Sequence, residues 1–214
     1  QVPADNITVN YWAPDSSCRR VQDRAVLAGV RSKYGLRSEQ PYVIGFGGAD
    51  PRKNTHGIID AWSRVSAAVR GTYVLVLVGA EEPALTEFRY RVRDRGLEGS
   101  CLVYGFADEA DMSALLSGAT ALCYPSLSEG FGLPVLDAFA CETAVLAADT
   151  TSLPEIAGDA ALLVPPDEPA AIAEGLSRLL TDEAVRQSLI DRGRRRLSAF
   201  SWTQTAERAA AVFE

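Results

Sequence analysis

Two carboxylates stand beside a glycine-rich turn in the stretch SLSEGFGLPVLDAFA. Glu129 precedes the turn and Asp137 follows it. Residues Phe131–Leu133 are expected to begin a helix, with Pro134 in its first turn, where the missing N–H group is not needed. The free N–H groups at a helix start and the helix dipole together favour an anion such as a phosphate. This stretch therefore predicts an anion site bordered by acids.

The two acids indicate a ligand that carries hydroxyl groups beside its anion. Glu129 lies just outside the expected helix start and would repel a diphosphate, so hydroxyl groups suit its acceptor oxygens better. Asp137 lies one turn into the helix, on roughly the same face as Leu133, where it could hold a ribose diol. Taken alone, Glu129 is equally consistent with a carboxylate that only favours the helix N-terminus, and Asp137 with a solvated polar position.

A second loop, GFGGADPRKN, combines glycines with two cations. Gly47 and Gly48 leave the backbone free to approach a ligand closely, and Asn54 is expected to cap the helix that follows. Arg52 and Lys53 stand just before that cap and suit an anionic group. The spacing matches neither the GxGxxG fingerprint nor the P-loop lysine motif. Alone, this loop is also consistent with a solvated turn that carries ordinary charges.

Strand-like and helix-like segments alternate from residue 42 onward, which predicts a doubly wound parallel sheet of the Rossmann-like α/β class. In such sheets ligands bind beyond the carboxyl ends of the strands. The predicted strands are Tyr42–Phe46, Tyr73–Gly79, Cys101–Gly105, Thr120–Pro125, Ala144–Ala148 and Ala161–Pro165.

The helices are predicted from the apolar periodicity between these strands. Residues 1–38 are less regular and are interpreted as a linker followed by a helix that leads into the domain, and 39–214 as the ligand-binding domain. The predicted helices begin near Thr55 and then span Pro83–Arg95, Glu109–Ser117, Leu133–Cys141, Leu153–Ala157, Glu168–Leu180, Glu183–Ser198 and Trp202–Phe213.

Composition excludes several classes of function. The 214 residues carry a formal net charge of −7, which argues against nucleic acid as a partner. Four cysteines without CxxC spacing and a single histidine, His56, make a zinc site improbable. We expect reduced thiols and a cytoplasmic location. The first residues do not resemble a signal peptide, and no apolar run is long enough to span a bilayer.

Lys53, Glu129, the glycine turn and Asp137 all fall at one edge of the predicted sheet. This edge offers a cation and N–H groups for a diphosphate, with acceptors for sugar hydroxyls on both sides. A nucleotide-sugar needs this set of groups.

The stretch PSLSEGFGLPVLDAFACETAV, with RKN upstream, resembles the carboxyl-terminal domain of retaining GT-B glycosyltransferases of family four, the glycosyl transferases group 1. The loop LPEIAGDAALLVPPD and the final FSW extend the resemblance, which runs from about Ile7 to Phe213. The combination is specific, although each piece alone is weak.

The resemblance implies roles for individual residues. The family's first acid contacts the transferred sugar and falls on Glu129, and its second acid binds the ribose and falls on Asp137, where the family usually has Glu. The family's phosphate lysine matches Lys53, so Lys53 and Glu129 are the expected catalytic residues. The family's usual arginine aligns with Gly48, so Arg52 is expected to take over part of that role.

The implied donor-binding set is larger and includes the loop VYGFADEADM, Val103–Met112, which resembles the segment that faces the nucleotide base in the family. Glu142 stands where the family commonly has Gly, so the preceding helix is expected to end differently. The resemblance implies no cofactor and no metal, and the sequence has no Asp-x-Asp motif. The donor-binding residues are Gly47, Gly48, Arg52, Lys53, Gly105, Phe106, Glu129, Gly130, Phe131, Gly132, Leu133 and Asp137.

These observations predict the donor-binding domain of a retaining glycosyltransferase that moves a sugar from a UDP- or GDP-hexose to an acceptor hydroxyl. The amino-terminal acceptor domain of such enzymes is expected to be missing here, so the chain alone should bind donor weakly and transfer nothing. No contact with a membrane is expected. Two alternatives stay open: a non-catalytic nucleotide-sugar binding module and a fragment of a two-domain phosphosugar epimerase.

Overall fold

A six-stranded parallel sheet forms the centre of the protein in the computed structural model, which describes residues 3, 6–37 and 39–213. The strand order is β3-β2-β1-β4-β5-β6, and all neighbouring pairs run parallel. This confirms the predicted doubly wound α/β fold. The strands are β1 (Tyr42–Phe46), β2 (Val74–Val78), β3 (Cys101–Val103), β4 (Ala121–Tyr124), β5 (Ala144–Ala148) and β6 (Ala161–Val164).

Helices connect the strands and follow the predicted positions, with one addition between the second helix and the second strand, α3. Short 3-10 turns span Pro51–Lys53 and Leu197–Ala199. The helices of the described residues are α1 (Arg24–Lys33), α2 (Thr55–Arg64), α3 (Ala67–Thr72), α4 (Ala84–Asp94), α5 (Glu109–Gly118), α6 (Leu133–Ala140), α7 (Leu153–Ala157), α8 (Pro169–Thr181), α9 (Glu183–Arg196) and α10 (Trp202–Phe213).

The core has two layers, one on each face of the sheet. In β2, Val76 packs in the layer beneath α1, α5 and α6, whereas Leu75 and Leu77 pack in the layer beneath α2, α4 and α8. Every residue of β2 is buried. This two-sided burial explains why the strand is a continuous apolar run rather than an alternating one.

The order of strands places β1 beside β4, and the chain winds outward from this pair in opposite directions. Loops that leave neighbouring strands in this way open a crevice at the carboxyl edge of the sheet. The loop after β1 and the loop after β4 border that crevice, and they contain the two sequence stretches that were predicted to bind an anion.

The residues before α1 pack against the domain. Ala13 is only 3% exposed and belongs to the core, and the backbone N–H of Val21 donates to Ser117 Oγ. The predicted boundary between residues 38 and 39 stays a prediction, and residues 1, 2, 4, 5 and 38 of the predicted linker lie outside the described residues.

The end of α6 corrects an expectation. The backbone N–H of Thr143 donates to Ala138 O and that of Glu142 donates to Phe139 O, so the helix closes with a left-handed residue, as a glycine-capped helix does. Glu142 occupies that position with φ 57°. Its carboxylate pairs with Arg194 at 2.5 Å, so the side chain is held although glycine would suit the backbone better.

No helix in the part of the chain that the structure describes is long and apolar enough to cross a membrane.

The predicted capping role of Asn54 is wrong. Asn54 precedes α2 but has a left-handed backbone, φ 55°, and its side chain makes no capping hydrogen bond, because a side-chain cap normally needs an extended backbone. Its Nδ2 instead donates to Pro125 O at 2.9 Å and to Pro166 O at 2.6 Å. Asn54 therefore joins the loop after β1 to the loops after β4 and β6.

The substitution Asn54→Asp should destabilise the fold by about 2 kcal/mol or more, because it turns acceptor oxygens toward two carbonyl groups that lose their donor. The matched variant Asn54→Gly tolerates the left-handed backbone and loses only the two hydrogen bonds, so we expect it to be the more stable of the pair. Urea unfolding at neutral pH measures both. An Asp variant as stable as the Gly variant would contradict this account of Asn54.

Candidate functional site

An open pocket of about 550 Å³ lies at the carboxyl edge of the sheet, where the loops after β1 and β4 meet. It brings together the lysine of one predicted anion loop and the first acid and glycine turn of the other. The segment before α1 supplies a further wall. The lining residues are Asn10, Trp12, Lys53, Tyr124, Glu129, Gly130, Phe131, Gly132, Leu133 and Pro134.

Lys53 reaches the pocket from the end of a 3-10 turn. The side chain of Asp50 accepts a hydrogen bond from the backbone N–H of Arg52 and so caps this turn. Lys53 Nζ lies 2.9 Å from Glu129 Oε1 and 2.9 Å from the hydroxyl oxygen of Tyr124. The pocket thus contains an ion pair formed between two loops that are distant in sequence.

Tyr124 completes a cluster of three side chains. It is the last residue of β4, is 1% exposed, and its hydroxyl donates to Glu129 Oε1 at 2.6 Å. Lys53, Tyr124 and Glu129 therefore contact one another in pairs. We call this set the Lys53–Tyr124–Glu129 cluster.

The charge on Glu129 depends on this cluster. Burial alone raises the pKa of Glu129, but hydrogen bonds from Tyr124 and Lys53 outweigh burial and hold that pKa below its usual value. Burial, followed by the hydrogen bond to Glu129, raises the pKa of Tyr124. The site therefore presents a carboxylate beside a neutral phenol at neutral pH.

The loop after β5 fixes the backbone of the glycine turn. Ser152 Oγ donates to Glu129 O at 3.0 Å and to Phe131 O at 2.9 Å. The N–H of Glu129 donates to Thr151 Oγ1 at 3.1 Å. These bonds fix the backbone that carries the Glu129 side chain before any ligand arrives.

Gly132 immediately precedes α6 as its N-cap and has φ 107°, a conformation that residues with a side chain rarely adopt. A Cβ there would lie 2.6 Å from Leu153 Cδ2. The predicted start of the helix at this turn is confirmed, with Leu133 as its first residue. The start of α6 forms part of the pocket wall, so its N-terminal dipole acts on whatever occupies the pocket.

Gly47 and Gly48 lie at the end of β1, close to the pocket but outside its lining. The N–H of Gly48 donates to Thr55 Oγ1 at 3.0 Å, which ties this loop to the first turn of α2. A Cβ at Gly48 would meet only ordinary contacts, at 3.7 Å from Gly79 O and 3.8 Å from Lys53 Cγ. The position therefore has room for a side chain.

Arg52 does not join the pocket. Its Nε donates to Asp50 Oδ2 at 2.9 Å, and its side chain is 61% exposed. The predicted share of Arg52 in anion binding stays a prediction that requires release from Asp50.

Asp137 and the proposed base-facing loop also lie outside the pocket lining. Asp137 Oδ1 accepts a hydrogen bond from the backbone N–H of Asp15 at 2.9 Å, and burial raises the pKa of Asp137. Gly105 O accepts from the N–H of Gly79, and Phe106 is 71% exposed. The predicted roles of Asp137, Gly105 and Phe106 in binding a nucleotide stay predictions.

Sequence reasoning missed Tyr124 and Trp12. Tyr124 carried a usable signal, because it is a hydroxyl-bearing residue at the carboxyl end of a predicted buried strand. Trp12 carried none, because its place depends on how the segment before α1 folds back onto the domain.

The family model described as "Glycosyl transferases group 1" matches residues 30–196. The O-antigen chain mannosyltransferase B of Escherichia coli is 34% identical over 204 residues, which are 94% of this chain and 52% of that protein. The chain thus spans about half the length of this curated relative.

Solved structures share the fold. The C-terminal domain of a glycosyl transferase group 1 family protein (LpcC) from Francisella tularensis superposes with a TM-score of 0.72 at 24% identity, over 87% of this chain and 97% of that one. Anabaena Alr3699/HepE, solved with UDP and glucose, superposes with a TM-score of 0.83 at 20% identity, over 96% of this chain and 56% of that one.

The substitution Tyr124→Phe should raise the pKa of Glu129 above its wild-type value, because the carboxylate loses a donor while its burial remains. A glutamate with a lowered native pKa stabilises the fold above its usual pKa of 4.5 and loses this contribution as the pH falls through the native value. The stability gap between variant and wild type should therefore shrink on acidification. An NMR titration of the glutamate carboxyl carbons, assigned with Glu129→Gln, measures the shift.

The control is Tyr73→Phe, which removes a hydroxyl that donates to Leu180 O, away from the pocket. It should leave the pKa of Glu129 unchanged. Equal pKa values for Glu129 in wild type and Tyr124→Phe would show that Tyr124 does not hold the carboxylate.

Proposed function

Because this chain belongs to the glycosyl transferases group 1 family, we propose that its pocket binds a nucleoside-diphosphate sugar and that the chain is the donor-binding part of a retaining glycosyltransferase. The Lys53–Tyr124–Glu129 cluster carries this proposal. It places an ammonium and a carboxylate 2.9 Å apart, beside the start of a helix, in an open pocket.

In the proposed complex the diphosphate takes the place of Glu129 as the partner of Lys53. The Lys53 ammonium and the N-terminal dipole of α6 then face the charge that grows on the diphosphate as the sugar leaves. The Glu129 carboxylate then accepts hydrogen bonds from hydroxyls of the sugar, so neither member of the ion pair is left without a partner.

Tyr124 keeps the carboxylate in place during this exchange. The Tyr124 hydroxyl donates to the same oxygen, Oε1, that Lys53 contacts. When Lys53 turns to the phosphate, this hydrogen bond still orients Glu129 toward the sugar. Tyr124 is therefore a positioning residue in the proposed mechanism.

The stereochemical course rests on the resemblance. In the proposed reaction the acceptor hydroxyl attacks the face of the sugar that the departing diphosphate vacates, so the anomeric configuration is retained. The proposed reaction involves no metal, and donor binding should be the same with and without a chelator.

The sugar and the full activity are proposed from the relatives. The O-antigen chain mannosyltransferase B and a serotype-specific mannosyltransferase of Escherichia coli are similar to this chain, so we propose a mannosyl donor, with the base to be found by titration. The chain spans about half of such relatives, which supports a further, acceptor-binding domain as its partner. The family match favours sugar transfer over phosphosugar epimerisation. A non-catalytic binding module remains the alternative, and it is excluded if the chain transfers sugar in an assay together with the acceptor-binding domain.

Calorimetric titration with GDP, UDP and ADP should show binding of one nucleotide, weakened at least about tenfold by Lys53→Ala, because a charge-assisted contact to the diphosphate is lost. The sequence offers a matched control, since its other lysine is Lys33. Lys33 pairs with Asp108 and Asp111 outside the pocket, so Lys33→Ala should bind nucleotide as the wild type does. Equal affinities for Lys53→Ala and wild type would contradict the assignment.

A further inference from the structure

A tryptophan forms one wall of the pocket. Trp12 lines the same cavity as Lys53 and Glu129, and its side chain is 49% exposed. By contrast Trp62 is completely buried in the core. The Trp12 ring lies 5.8 Å from the ring of Phe131, at an angle of 41°.

The backbone around Trp12 is anchored on both sides. Asn10 Nδ2 donates to Thr205 O at 2.9 Å, and the following Ala13 is part of the core. Pro14 O accepts from Trp202 Nε1 at 3.0 Å. Trp12 is therefore held at the pocket by a fixed segment, and its exposure does not come from a loose chain end.

Trp12 and Trp202 are each 49% exposed, but of the two only Trp12 lines the pocket. Burial of a large apolar side chain stabilises a fold, and Trp12 forgoes part of this contribution although both neighbouring stretches of chain are packed. Ligand pockets combine apolar and aromatic walls with a few polar groups that fix orientation. Here the exposed indole shares its pocket with the Glu129 carboxylate.

This pairing of groups fits one chemistry. A pyranose ring has an apolar C–H face, which stacks on a flat aromatic ring, and hydroxyl groups at its rim, which donate to a carboxylate. We propose that Trp12 is the stacking face of a hexopyranose subsite, with Glu129 accepting hydrogen bonds from the rim of the same sugar. The inference rests on the proposed function and adds a residue that neither the anion loops nor the family resemblance supplies.

The sugar could come from the donor or from the acceptor, and the titration separates these sources. The probes are a nucleoside diphosphate, the matching nucleoside-diphosphate mannose, and methyl α-mannopyranoside added to the nucleotide-saturated chain. The variants are Trp12→Ala, which removes the ring, and Trp12→Phe, which keeps a flat face. Tyr90→Ala is the matched control, because it truncates an aromatic ring that is 60% exposed on α4, outside the pocket.

If the donor sugar stacks on Trp12, Trp12→Ala should weaken binding of the nucleotide-sugar about threefold to tenfold and leave the nucleoside diphosphate unchanged. Trp12→Phe should recover most of the loss, and Tyr90→Ala should behave as wild type. If an acceptor sugar stacks there, Trp12→Ala should instead abolish only the binding of methyl α-mannopyranoside. Either pattern supports the pyranose subsite and names its source.

A fluorescence titration gives an independent readout. Comparison of the wild type with Trp12→Phe isolates the emission of Trp12, because the two proteins share Trp62 and Trp202. Nucleotide-sugar should change the emission of the wild type more than nucleotide alone, and Trp12→Phe should lose this difference.

Three results would overturn the proposal. Equal losses for nucleotide and nucleotide-sugar in Trp12→Ala would mean that the ring contacts the nucleotide or only shapes the wall. Unchanged affinity for every probe would mean that the ring contacts no ligand. Failure of the wild type to bind any of the probes would instead contradict the proposed function itself, and the subsite with it.

Discussion

A largely buried carboxylate needs partners, and in this protein the whole site is organised around supplying them to Glu129. Its side chain is only 13% exposed, and removal from water opposes its charge. Hydrogen bonds from Lys53 and Tyr124 stabilise the charged carboxylate and offset the cost of its removal from water. Such an ion pair adds little to stability by itself, but either partner left alone would be costly.

The need of both Lys53 and Glu129 for a partner also favours a reversible exchange of their ion pair for contacts with a ligand. A ligand with a diphosphate beside a hydroxyl-rich ring can satisfy both members of the pair at once, whereas a simple anion would satisfy Lys53 and strand Glu129. Under the proposed function the cluster favours a nucleotide-sugar over a bare phosphate, because a phosphate alone would take Lys53 from Glu129 and replace it with no new donor.

The fold brings the cluster together from separate parts of the chain. Strand order places β1 next to β4, so Lys53 from one loop meets Tyr124 and Glu129 from the other. Asn54 ties these loops to each other, and Ser152 fixes the carbonyls of the glycine turn. Hydrogen bonds between loops therefore hold most of the site in place.

Much of the fold could be predicted because burial on both faces makes β2 continuously apolar and gives α2 its periodic face. The helix α3 was missed, since six residues that include Arg70 and Gly71 offer no apolar period. Asn54 was misassigned because its residue type indicates a helix cap. Its actual partners are set by its left-handed backbone and by two carbonyl groups that are distant in sequence. The place of Trp12 in the pocket and the contact between Asp15 and Asp137 depend on how the segment before α1 packs on the domain. No local sequence pattern predicts this packing.

In the proposed complex Lys53 exchanges Glu129 for a diphosphate. A crystal structure of the chain with a nucleoside-diphosphate sugar tests it most directly, through the distances from Lys53 Nζ. We expect a phosphate oxygen at about 2.8 Å from Nζ and a sugar hydroxyl within hydrogen-bond distance of Glu129. A bound diphosphate elsewhere, with Lys53 and Glu129 still 2.9 Å apart, would contradict it.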